Sequence, residues 1–374
     1  MKKILVIGSA ESVFVRDFIS QFSSEELVVD LISLSNEVQG VNARTIEYVP
    51  LDIRKQKVLG RQLDLFFRIR AALKKVASEY DAIVIHYVFF FLAPHVLRMR
   101  SMTKNIVSVI WGSDFYKSTK IKILLQSVIY RSSKSIVFTN PATKEEFSKK
   151  HRSVPSCRLK VARFGLPVLE EIDRIISKKI DRHGICEEFG LPSEKVLIFA
   201  GYNANESQQQ TLVVEKFSKL DRSLKDKAAL IFTLGYGDPS AEQRIRDSLE
   251  RNHVEHFVVL KKFYGPEEIA KIRCVTDVLI NIQPSDQFSG SMQEVLYAGG
   301  RVIAGAWLPY KEIIEAGGRI RSINNKDEVG RALEFEINFD ARNLDLNNDG
   351  ARGFIESSST WRGNLGVWKH IVVP

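Results

Sequence analysis

The chain has 374 residues, 44% hydrophobic and 26% charged, which fits two folded domains and excludes a disordered chain. Three scattered cysteines, Cys157, Cys186 and Cys274, form no C-x-x-C pair and no zinc pattern, so a reducing compartment without structural metal is expected. The net charge of +9 is uneven: residues 1–180 hold 30 Lys and Arg against 17 Asp and Glu, and the remainder holds 24 against 28. A basic half beside a mildly acidic one fits an anionic partner such as nucleic acid, anionic lipid headgroups or a pyrophosphate-linked acceptor, or else a solvated basic surface with no partner.

The apolar run Ile4–Ile7 is too short for a signal-peptide core and predicts a buried first strand. A helix is expected over Ser12–Phe22 and a second strand over Leu27–Leu34. Apolar residues at helical spacing (Leu63, Phe66, Phe67, Ile69, Leu73, Val76) predict a helix over Leu59–Glu79. Strands at Ala82–His86, Ile106–Trp111 and Ser135–Thr139 then alternate with helices at Phe91–Arg100, Ile121–Arg131 and Thr143–Lys150. The pattern restarts near residue 195. Strands are expected at Val196–Ala200, Ala228–Leu234, Phe257–Leu260, Val278–Ile282 and Val302–Ala304. Helices between them are expected at Gln210–Leu220, Pro239–Arg251, Pro266–Val275 and Ser291–Ala298. Such alternation predicts an α/β chain with two doubly wound, Rossmann-like parallel sheets facing a central cleft. The domains are expected at 1–164 and 195–355, with a connection at 165–194. A helical segment at 356–374, holding Trp361, Leu365 and Trp368, should dock back on the first domain. No segment reaches the length of a membrane span, so a cytoplasmic chain, soluble or peripheral at the inner face of the membrane, is expected.

In open α/β sheets ligands bind just beyond the carboxyl ends of strands, and four motifs fall there. Gly8-Ser9 follows the first strand and opens a helix, without a G-x-G-x-x-G fingerprint; a plain turn is the alternative. Trp111-Gly-Ser-Asp114-Phe-Tyr116 combines aromatic faces with a carboxylate, a pattern suited to a sugar, although Asp114 could instead cap a helix. Gly201-Tyr202 opens a polar, amide-rich loop, and Gly235-Tyr236 occupies the equivalent place after the next strand; both suit a phosphate, or are turns. The strongest motif is Asp286-Gln-Phe288-Ser289-Gly290-Ser291-Met-Gln-Glu294. Small residues at a helix amino terminus offer amides to a diphosphate, and Glu294, one turn inside, could hold a ribose. The rival is local: Ser291-x-x-Glu294 also reads as a capping box.

These residues resemble GT-B glycosyltransferases, especially the retaining GT4-like group, in which two acidic residues are separated by seven others. Asp286 and Glu294 have that spacing, and Ala298-Gly-Gly-Arg-Val-Ile303 follows. The resemblance implies that Glu294 holds the donor's ribose, that Phe288 to Ser291 present amides to its diphosphate, and that Asp286 lies near the transferred sugar. It makes Asp114 and Asp286 the candidate catalytic residues. Gly8, Ser9, Gly201, Tyr202, Gly235 and Tyr236 become further donor-binding candidates, and Trp111 and Tyr116 contacts of sugar or acceptor. Trp111-Gly-x-Asp-x-Tyr116, Gly201 to Gln210 and Leu234-Gly-Tyr-Gly-Asp238 are also similar to bacterial transferases that add 4-acetamido-4,6-dideoxygalactose to lipid-linked glycans.

The first acid is Asp where the group usually has Glu, and the usual diphosphate-clamping Arg and Lys are absent from Gly201–Gln210; Lys261, Lys262 and Arg163 are the substitutes considered. No D-x-D stands where a metal-dependent transferase would need one, so no metal and no cofactor beyond a nucleotide-sugar co-substrate are expected. The expected activity is hexosyl-type transfer to a lipid-linked glycan in cell-surface polysaccharide assembly, with no nucleic-acid partner. A GT-B-fold epimerase, a non-catalytic sugar-nucleotide-binding protein and a nucleic-acid-binding protein are the alternatives.

Overall fold

The computed structural model describes residues 1–51, 58–116, 118–339 and 350–373. Part of the expected C-terminal domain, 340–349, lies outside them. The chain divides into unit 1, Met1–Gly165 with Trp361–Pro374, and unit 2, Leu166–Thr360.

Unit 1 runs β1 (Lys2–Gly8), α1 (Val13–Phe22), β2 (Leu27–Ser33), β3 (Thr45–Tyr48), α2 (Val58–Lys75) and β4 (Ala82–His86). A 3-10 turn (Phe90–His95) leads into α3 (Val96–Met102), followed by β5 (Ile106–Ile110), α4 (Ser113–Tyr116), α5 (Lys120–Ser132), β6 (Ser135–Phe138), α6 (Pro141–Lys150) and β7 (Leu159–Val161). Pro94 lies within the 3-10 turn, so the helix expected over Phe91–Arg100 divides there. The strands form one parallel sheet in the order β3-β2-β1-β4-β5-β6-β7. Side chains alternate across it. Leu5, Ile7, Ile83 and Ile85 enter one core and Ile4, Val6, Ala82 and Val84 the other, so both faces are dry. The short strands β3 and β7, unforeseen in the sequence, are the two sheet edges.

Unit 2 begins with α7 (Pro167–Ser177) and α8 (Arg182–Phe189), which occupy most of the stretch expected as a connection. Then follow β8 (Val196–Ala200), α9 (Gln210–Ser218), α10 (Arg222–Lys225), β9 (Ala228–Thr233), α11 (Ala241–Arg251), β10 (Phe257–Leu260), α12 (Pro266–Val275), β11 (Val278–Asn281), α13 (Gly290–Tyr297) and β12 (Arg301–Gly305). It closes with α14 (Lys311–Glu315), β13 (Ile320–Ile323), α15 (Val329–Asn338) and α16 (Gly350–Ser359). Its sheet is also parallel, ordered β10-β9-β8-β11-β12-β13. The order reverses between β8 and β11, so this pair is the switch point at which a doubly wound sheet opens a crevice.

After Thr360 the chain returns to unit 1 as α17 (Trp361–Val372). Trp368 is fully buried there, its indole N–H donating to the Arg163 carbonyl at 2.8 Å, and the Asn105 amide donates to the Val372 carbonyl at 2.9 Å.

Candidate functional site

The unit 2 candidates gather at the switch point. β8 ends in Ala200, and the chain turns at once through Gly201, whose φ of +76° is a conformation L side chains rarely adopt. A Cβ there would also lie 2.7 Å from Gln208 Oε1, so the turn and the following loop close only on glycine. The Tyr202 amide donates to Gln208 Oε1 at 3.2 Å, and Gln208 Nε2 donates to Gln283 Oε1 at 2.9 Å. Gln283 Nε2 in turn donates to the Tyr202 hydroxyl at 3.2 Å. The loop after β8 is therefore sewn to the loop after β11 by buried amides. Trp307 donates its indole N–H to the Gln283 carbonyl at 2.8 Å and fixes the same loop from the β12 side. Tyr236, in the loop after β9, accepts from Asn203 Nδ2 at 3.5 Å, and its carbonyl accepts from the Ala204 amide at 2.8 Å. Gly235 precedes it, packed against the Lys262 backbone. Gly201, Tyr202, Gly235 and Tyr236 thus share one end of the sheet with Asp286–Glu294.

The helix of the strongest motif starts one residue earlier than expected. Ser289 is the N-cap of α13, its hydroxyl accepting from the Met292 amide at 3.2 Å. Ser291 lies inside the first turn, so the alternative reading of Ser291-x-x-Glu294 as a capping box falls. The first-turn amides of Gly290 and Ser291 have no carbonyl within the helix to bond, and the helix dipole adds positive potential there. Phe288 is buried edge-to-face against Tyr310, 6.1 Å between centroids, which holds the loop down onto β12.

Glu294 is buried and ion-paired: Arg273 Nε lies 3.0 Å from Glu294 Oε2, with the side chains 4% and 10% exposed. Arg273 Nη2 donates to the Ser291 hydroxyl at 2.9 Å, while its Nη1 is buried with no partner among the described residues. A buried guanidinium therefore stands against the first turns of α13, a residue the sequence motifs did not single out. It sits on α12 amid Ile269-Ala-Lys-Ile-Arg-Cys-Val, at the helical spacing of the buried face. The retrievable signal was a lone Arg in an apolar register. The other cations considered are engaged by other groups: Lys261 pairs with Glu242 at 2.7 Å, Lys262 with Glu268 at 2.7 Å, and Arg163 Nε donates to the Thr139 carbonyl at 3.0 Å.

Asp286 is partly buried. Tyr310 donates to its Oδ2, and Tyr310 in turn accepts from Asn281 Nδ2 at 2.5 Å. Burial raises the Asp286 pKa, opposed by Tyr310, the Gln287 and Ser289 amides and Gln283. Its carboxylate therefore organises the loop that leads into α13.

In unit 1, Gly8 and Ser9 lie at the carboxyl end of β1, beside the β1–β4 switch point. Trp111 follows β5 and packs among Phe14, Phe164 and His86 at 5.8, 5.8 and 6.2 Å between centroids. Tyr116 is exposed, its hydroxyl 3.2 Å from Thr143 Oγ1. Asp114 holds two loops together. It is 2% exposed, with Oδ1 accepting from the Trp111 and Gly112 amides at 3.0 and 2.9 Å and Oδ2 from the Val88 amide at 2.8 Å. Burial outweighs these amides and pushes its pKa up to about 6. It lies inside α4 rather than at its N-cap, and it ties the loop after β5 to the loop after β4. His86, on β4, is buried without a polar partner among the described residues, and burial takes its pKa down to about 3.

Residues 3–140 match the family described as Glycosyl transferase 4-like. No curated protein matches the chain in sequence. Solved structures similar to it include the N-terminal domain of Candida albicans trehalose-6-phosphate phosphatase, with TM-score 0.75, 12% identity, and 100% of this chain and 97% of that one covered. Sucrose-phosphate synthase from Thermosynechococcus elongatus gives 0.73, 13%, 99% and 98%. Anabaena HepE in complex with UDP and glucose gives 0.71, 12%, 99% and 99%. With its two parallel-sheet Rossmann-like units the chain has the GT-B fold, and through residues 3–140 it resembles the glycosyl transferase 4-like family.

Proposed function

We propose that the chain is a glycosyltransferase that takes a sugar from a nucleotide-sugar donor held by unit 2. One observation carries the reading: the amino terminus of α13 opens at the β8–β11 switch point with Glu294 one turn inside it and paired to Arg273 of α12. The ribose hydroxyls bond Glu294. The diphosphate lies over Gly290 and Ser291, where Arg273 offsets the Glu294 charge that would otherwise repel it. As the glycosyl bond breaks, positive charge grows on the sugar and negative charge on the departing diphosphate. First-turn amides, the helix dipole and the Arg273 charge stabilise that leaving group without a metal ion. Asp286, held by Tyr310 and the loop amides, faces the sugar.

The HepE structure contains UDP and glucose, which makes UDP the first nucleotide to test. The acceptor we favour is a lipid-linked glycan at a membrane surface, as in polysaccharide assembly, with retention of configuration; the basic composition of residues 1–180 supports an anionic acceptor. Incubation of the protein with UDP-, GDP- and dTDP-sugars, with and without lipid-linked acceptor and in excess chelator, tests this by product mass. Transfer that persists in chelator is expected. Conversion of the donor without any acceptor would make the protein an epimerase, and loss of turnover in chelator would end the metal-independent scheme.

A further inference from the structure

Unit 1 turns apolar side chains outward where a helix ordinarily shows polar ones. On α5, Ile121, Leu124 and Val128 stand at i, i+3 and i+7 and are 73%, 70% and 43% exposed. The opposite face of the same helix is already used, burying Gln126, Ile129 and Tyr130. α5 thus carries a second apolar stripe that no other described residue of its unit covers. On α3, Leu97 is 79% exposed, and on α2, Phe67 is 61% exposed. The three helices are neighbours, because the 3-10 turn Phe90–His95 packs against each of them. The Lys122 ammonium lies 5.5 Å from the centroid of the Phe90 ring, so a cation stands directly beside the apolar surface.

The charge on these helices says what covers the stripe. α2, α3 and α5 together hold ten Lys and Arg and a single carboxylate, Asp64. Aliphatic side chains pointing outward among long cationic ones match the boundary of an anionic bilayer. There the aliphatic groups enter below the headgroups, and Lys and Arg extend back to the phosphates. A nucleic-acid groove would call for the cations but gives Ile121, Leu124 and Leu97 no apolar partner.

We propose that the α2–α3–α5 face of unit 1 docks on an anionic lipid surface, with α5 lying in the headgroup plane. The proposal rests on the lipid-linked acceptor favoured above, since docking brings the protein to an acceptor that never leaves the bilayer. It goes beyond that reading by naming the side chains that insert.

Flotation of the full chain with vesicles of phosphatidylcholine alone, or mixed with phosphatidylglycerol, tests it. Binding is expected only to the mixed vesicles and should weaken as salt is raised. Ile121→Ser with Leu124→Ser should lower partitioning on the order of ten-fold per inserted side chain. Lys120→Gln with Lys122→Gln should lower it roughly five-fold per cation. Thermal shift with UDP, run without vesicles, reports the donor site separately and should not change in these variants. If UDP binds and vesicles do not, the docking face is wrong and the donor reading stands. If vesicles bind and no nucleotide does, docking stands and the donor reading falls. Equal binding to both vesicle types, unaltered partitioning in the variants, or retention of duplex DNA in place of vesicles overturns the proposal.

Discussion

Arg273→Met removes the cation paired with Glu294 while nearly keeping its volume. At 3.0 Å, and at an effective dielectric of about 20, the pair attracts by about 5 kcal/mol before desolvation is counted. Much of that only offsets burying the two charges. What the variant exposes is the cost of leaving Glu294 buried and unpaired, about 3–5 kcal/mol. The Ser291 hydroxyl also loses its donor, at about 1 kcal/mol. Guanidinium unfolding should therefore show unit 2 destabilised by about 4–6 kcal/mol. Glu294→Gln should also destabilise it, and the double variant should recover at least about 1 kcal/mol of the summed losses, because the two residues act as one unit. Affinity for a nucleoside diphosphate should fall by at least about ten-fold in Arg273→Met, since the diphosphate then faces an uncompensated carboxylate. A loss of stability below about 1 kcal/mol, or single losses that add without coupling, would refute the buried-pair account.

Gly201→Ala should cost about 1–3 kcal/mol from its positive φ and its contact with Gln208, and should weaken nucleotide binding; an unchanged denaturation midpoint would show that the turn can relax. Asp114 should give a pH signature. Its folded pKa of about 6 exceeds its unfolded value, so the stability it adds is full below about pH 4 and is lost as pH rises through 6, about 3 kcal/mol in all. The stability difference between the natural chain and Asp114→Asn should shrink by that amount from pH 4 to pH 7, and a difference flat with pH would contradict this. Tyr310→Phe removes a donor that favours ionised Asp286, so the acid limb of kcat should move to higher pH. An unmoved limb would take Asp286 out of the chemistry.

Much of the fold was legible because buried parallel strands read as unbroken apolar runs, and β4, β8 and α12 matched their expected spans residue for residue. The misses have local causes. Thr45–Tyr48 and Leu159–Val161 are short edge strands whose identity comes from pairing with β2 and β6 rather than from their own composition. Of the site, the Asp286–Glu294 segment was visible because small residues and acids stand just after a strand. Its cap was misplaced because Ser289 and Ser291 are equivalent in sequence, and only the path of the loop selects Ser289. Arg273 was passed over because α12 also holds Glu267, Glu268 and Lys271, and only its place in the buried register sets it apart from them. Asp114 read as either a helix cap or a sugar contact because nothing in Trp111–Tyr116 records that the Val88 amide, from another loop, bonds its carboxylate.

Isothermal calorimetry of UDP, GDP, dTDP and CDP against the natural chain and Glu294→Gln tests the central claim most directly. One of these nucleotides should bind the natural chain, and Glu294→Gln should bind it at least about ten-fold more weakly, because an amide cannot accept from both ribose hydroxyls as a carboxylate does. Equal affinity in the two proteins, or no binding by the natural chain, would contradict a donor site at Phe288–Glu294.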